Sequence, residues 1–153
     1  MQVQRYTYQT YHHENHVQYA FVSVGQNGHI NKMISFSKVK PNVYNLSLED
    51  MDDDTGVFSQ YSVTDNGDTI KILLTVAEAI VHFTSDYPYA QVFIQGNNAA
   101  RNRLYRIYIA KFLENIHQWY EVYALQDDVW EEFRKEGKYR AYLVFRKKSN
   151  NLV

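Results

Sequence analysis

The 153-residue chain carries 16 Lys and Arg against 17 Asp and Glu, with 45% hydrophobic and 22% charged residues. A formal net charge of -1 supplies no global field to steer the protein onto nucleic acid or an anionic membrane, so any such contact has to come from a local patch. The length is that of one domain, 1–153 with a core over about 5–148, and the lack of Cys excludes disulfides, a thiolate nucleophile and a cysteine metal site.

Aromatic content departs from the average, with 14 Tyr and 8 Phe. Tyr joins a large apolar body to a polar tip and favours strands, so half-buried sheet faces are expected to take most of them. The opening Met1-Gln2-Val3-Gln4-Arg5-Tyr6 lacks the apolar core of a signal peptide, and no apolar run reaches the roughly 18 residues of a membrane span. A soluble, cytoplasmic protein is expected, without a membrane partner.

In chain order, Arg5 to Thr10 alternates as a strand, a polar patch covers His12 to His16, and Val17 to Val24 is a second strand. Gly25-Gln26-Asn27-Gly28 predicts a hairpin turn to a partner over His29 to Val39. Pro41-Asn42 breaks the chain before a strand from Val43 to Leu48, which is followed by an acidic run, Glu49 to Asp54, expected as a solvated loop. Val57 to Val63 reads as a short strand. From Asp68 the period becomes helical: Ile70, Leu73, Leu74, Ala77, Ile80 and Val81 form one face, and Ile72, Val76, Ala79 and Phe83 a second. Asp68 is placed to cap the start, and Pro88 to stop the run. A strand over Ala90 to Gln95 leads to a second helix from about Asn98 to Tyr120, with Tyr105, Ile109, Phe112, Leu113, Ile116 and Tyr120 on one stripe. Glu121 to Leu125 is then a strand joined by a parallel crossover, and Trp130 to Phe133 and Tyr139 to Lys147 complete the set, with Ala141 to Phe145 apolar enough for an inner strand. The fold class is α+β, an antiparallel amino-terminal sheet followed by a helix-strand-helix-strand-strand layer with two main helices.

The strand-turn-helix junction holds the candidate site. Gly96 permits close backbone approach, Asn97 and Asn98 form the turn, and the first helical N–H groups have no partners within the helix. Arg101, Arg103 and Arg106 add permanent charge suited to phosphate or carboxylate. Phasing puts Arg101 near the buried stripe, Arg106 at its edge and Arg103 on the polar side, so Arg103 and Arg106 are the expected ligand contacts. The Lys and Ser/Thr of a phosphate-binding ATPase loop are absent, as are the glycines of a dinucleotide fingerprint. At His12-His13-Glu14-Asn15-His16, one residue stands between Glu14 and His16 where a zinc-protease helix needs two, and the acidic run lacks the calcium-loop Gly and Glu. No cofactor, no metal and no catalytic residue follow from the sequence.

The segment from Tyr87 to Arg106, clearest in Gly96 and the following Ala100-Arg101-Asn102-Arg103-Leu104-Tyr105-Arg106, with the closing Tyr139-Arg140-Ala141-Tyr142-Leu143-Val144, resembles a family of small uncharacterised proteins common in Bacteroidetes. The likeness runs from about Tyr6 to Lys148 and implies a domain definition without an activity. The leading expectation is a small non-enzymatic binding module for nucleic acid or a protein partner, using the Arg-bearing helix start. The alternative is a nucleotide-, acyl- or phosphate-handling enzyme using the same turn.

Overall fold

Alternating apolar residues in the first half build a meander of β1 (Gln9–His12), β2 (His16–Gly25), β3 (Gly28–Lys40) and β4 (Val43–Met51), each antiparallel to the next. A computed structural model describes residues 4–59, 65–96, 99–116 and 118–148, with only the backbone for 112–116. The β2–β3 hairpin closes with Gly25 opposite Gly28, and Gly28 takes φ 83°, where a side chain would be strained. β5 (Phe58–Ser59) pairs with the end of β4; the rest of the strand expected over Val57 to Val63 lies mostly outside the described residues.

After α1 (Thr69–Asp86), β6 (Gln91–Ile94) returns parallel to β4 and next to it. After α2 (Ala99–Ile116) come the β7 (Tyr120–Gln126) and β8 (Val129–Glu132) hairpin, turned on Asp127 and Asp128 at positive φ, and β9 (Ala141–Arg146). β9 is antiparallel to both β6 and β7, so β6 and β7 are parallel as the crossover requires, but they are not neighbours. The sheet order is β1-β2-β3-β4-β6-β9-β7-β8, and β9 is the inner strand its apolar sequence predicts. The fold is α+β, one largely antiparallel sheet with two helices.

Both helices lie against the sheet face carrying Tyr19, Ile34, Phe36, Leu46, Val92 and Val144. α1 docks through Ile72, Thr75, Ala79, Phe83 and Thr84; Phe83 stacks on Phe36 at 4.3 Å and meets Tyr44 edge-on at 4.9 Å. The second of the two predicted stripes therefore meets the sheet, while Ile70 and Val81 of the first are exposed. Two polar ties hold the amino-terminal half of α2: the Tyr142 hydroxyl donates to Asn102 O at 3.1 Å, and Arg106 Nη1 to Gly137 O at 3.3 Å.

Four expectations need correction. Tyr120 is not a helix residue: it opens β7 opposite Arg146, buried, with its hydroxyl 2.7 Å from Thr84 Oγ1. The acidic run is not wholly a loop, because Glu49 and Asp50 continue β4 and Asp50 is inward and buried. Asp68 holds the N-cap position of α1, yet its side chain caps nothing. The first strand begins at Gln9, since Tyr6 is drawn off the sheet edge onto α1, stacking on Phe21 and donating its N–H to Thr75 Oγ1 at 2.9 Å.

Candidate ligand site between the helix N-termini

Inward positions alternate along each strand, and on β3 they read Ile30, Lys32, Ile34, Phe36. Lys32 is thereby carried into the helix-covered face, where its side chain is fully buried and Nζ lies 2.6 Å from Asp50 Oδ1, its direct partner in register on β4. Burying one such charge without the other would be prohibitive, so the pair is mutually required.

Beside it, Asp68 Oδ2 accepts from Ser23 Oγ at 2.6 Å and from the Tyr6 hydroxyl, while Asp68 Oδ1 is buried with no hydrogen-bond partner. Burial, then the bond to Asp68, raise the Tyr6 pKa. Asn66 clamps the region. Its side-chain N–H₂ donates to Ser23 Oγ and Gly28 O, its Oδ1 accepts from Asn27 N at 2.6 Å, and its carbonyl accepts from Gln26 N. A Cβ on Gly25 would stand 1.9 Å from that carbonyl, so only glycine fits there. These bonds tie the β2–β3 hairpin to the start of α1.

Asp68 is thus diverted from capping, and neither helix has an acidic residue in its first turn. The positive end of the α1 dipole is therefore not met by a capping bond from Asp68. The two starts converge on one cavity of about 350 Å³, walled by Lys32, Asp65, Asn66, Asp68, Thr69, Ala100, Arg101 and Tyr105 among others. Burial raises the Tyr105 hydroxyl, and the Arg101 charge nearby opposes that rise.

Of the residues singled out from sequence, Arg101 lines this cavity, Arg103 is exposed, and Arg106 is tied to Gly137 O. Asn97 and Asn98 lie outside the described residues. Gly96 is approached closely by the helix itself: a Cβ there would sit 2.8 Å from Asn102 N, and Gly96 N–H donates to Asn102 Oδ1 at 2.9 Å. His13 and His16 stack at 4.2 Å at the β1–β2 turn, and His13 Nε2 is 2.9 Å from Gln18 Oε1. Lys32, Asp50, Asn66 and Asp68 were not candidates. Lys32 and Asp50 were nevertheless signalled by a charge standing at an inward position of an otherwise apolar alternation.

A second cavity of about 270 Å³ adjoins the first, with almost entirely apolar walls from α1, α2 and the sheet. Among the described residues no helix is long and apolar enough to cross a membrane.

One family model matches residues 2–147, described as a family of unknown function (DUF6934). The chain belongs to that family. The match takes in the whole sheet, both helices and every wall of the polar cavity, so the DUF6934 unit and the fold coincide. No curated protein and no solved structure matches the chain.

Proposed function

We propose that this DUF6934 chain is a small non-enzymatic binding module whose ligand bears an anionic group, held at the start of α2 by Arg101. The observation that carries the reading is that the starts of α1 and α2, neither with an acid in its first turn, share one cavity with Arg101. Lys32 is neutralised there by Asp50, and the acids Asp65 and Asp68 belong to the α1 side, which favours the α2 side for the anion. A recessed space of this size suits a small molecule better than a duplex or a protein surface. The cysteine-free composition supports a cytoplasmic setting. The enzyme reading has its own support in the same walls, because a phenol raised by burial, Tyr105, is the kind of perturbed group that gathers at reactive sites.

The test is calorimetric titration of inorganic phosphate, nucleotides, coenzyme A and short oligonucleotides against wild type, Arg101→Gln and an Arg103→Ala, Arg106→Ala double variant. A charge-assisted hydrogen bond is worth about 1.5–3 kcal/mol, so Arg101→Gln is expected to weaken a small anion by more than about tenfold. Equal binding by folded Arg101→Gln, or no anion binding better than about millimolar, defeats the reading. Oligonucleotide binding lost only in the double variant moves the function to nucleic acid.

A further inference from the structure

The polar and apolar cavities lie side by side, with Leu48, Leu73 and Tyr105 on the walls of both. The two differ in chemistry. One has Arg101, Asp65, Asp68 and the two helix starts; the other is walled on the α1 side by Leu74, Ala77, Ile80 and Val81, of which Ile80 also packs against the core. An apolar helix stripe that lines a cavity over its own sheet is unusual in a domain that otherwise packs its core closely. Taken together the two spaces reach the size of small-molecule pockets, which are mostly apolar with a few convergent polar groups.

We infer that the occupant is an amphipathic small molecule, an aliphatic chain lying between α1 and α2 and ending in an oxyanion, a carboxylate or a phosphate, at Arg101. This rests on the anion reading above and adds the ligand class. The chain supplies affinity by leaving water for the Leu74 to Val81 wall, and the oxyanion fixes its direction.

The experiment titrates inorganic phosphate, butanoate, octanoate, dodecanoate, dodecyl phosphate and dodecanol into wild type, Arg101→Gln and Ala77→Trp, with light scattering to follow mass. Affinity is expected to rise about fourfold per buried methylene, at least a hundredfold from butanoate to dodecanoate. Arg101→Gln should weaken dodecanoate more than about tenfold, to the level of dodecanol. Ala77→Trp should remove the chain-length dependence while phosphate still binds, and Leu74→Phe does the same more gently if Ala77→Trp fails to fold. Phosphate binding that depends on Arg101 but gains nothing from a chain overturns this inference and leaves the anion reading intact. Dodecanol binding as tightly as dodecanoate, indifferent to Arg101→Gln, overturns both, as does binding by none of the probes. A dimer in free solution that Ala77→Trp splits and dodecanoate does not would show that a second copy covers the cleft, and overturns the inference as well.

Discussion

Lys32 occupies a register position where its strand neighbours Ile30 and Ile34 are aliphatic, yet it is buried together with Asp50. Such a pair stabilises little over apolar residues of equal volume, because both ions lose their hydration, but removing one leaves the other stranded. Lys32→Met and Asp50→Leu alone should each cost about 3–5 kcal/mol, while the double variant should be close to wild type or more stable. Urea melts of the four proteins give the coupling energy directly. Additive losses would show that the two side chains act independently despite 2.6 Å contact. If the cleft binds an anion, the double variant should also lose affinity, which separates a role in the site from one in folding.

At the level of elements, α1 illustrates how a helix with two apolar faces is oriented. Both stripes were legible in the sequence; which one meets the sheet depends on Phe36 and Tyr44, which present an aromatic socket that Phe83 fills and the Ile70 to Val81 stripe does not. Phe83→Ala should therefore cost about 3–5 kcal/mol and Ala79→Leu about 1–3 kcal/mol by overpacking, against under about 0.5 kcal/mol for Ile70→Ala on the exposed side. Equal losses at Phe83 and Ile70 in chemical denaturation would mean the helix docks in another phase. For α2, Asn102 and Arg106 add polar anchors to the packing of Tyr105 and Ile109 against the core.

For the whole molecule, the abundance of Tyr creates a sensitivity to alkali. Burial pushes the Tyr142 hydroxyl up to about 12 from an ordinary 10, and burial likewise raises Tyr6, Tyr8, Tyr19 and Tyr105. These groups are neutral when folded and lose their protons more readily when unfolded, so their contribution is complete below pH 10 and is lost as pH rises through the folded values. Phenolate absorbance should then appear cooperatively, above pH 10, together with loss of the folded circular dichroism signal. Smooth titration of all tyrosines near pH 10 with structure retained would contradict their burial. Because the Tyr142 hydroxyl binds Asn102 O, α2 should loosen first.

Strand and helix positions, the hairpin at Gly25 to Gly28 and the inner character of Ala141 to Phe145 were written in the sequence, because alternation, helical period and turn chemistry are local properties of the chain. The neighbour of each strand was not: β9 entering between β6 and β7 depends on contacts between residues as distant in the chain as Gln91 and Phe145. The same holds for the site. Arg101 and the start of α2 could be read locally, whereas Lys32, Asp50, Asn66 and Asp68 join them only because the sheet brings β2, β3 and β4 beneath both helix starts. Asp68 shows the reason most plainly: its sequence position is that of a cap, and the tertiary fold offers it Tyr6 and Ser23 instead, so its carboxylate leaves the helix start uncapped.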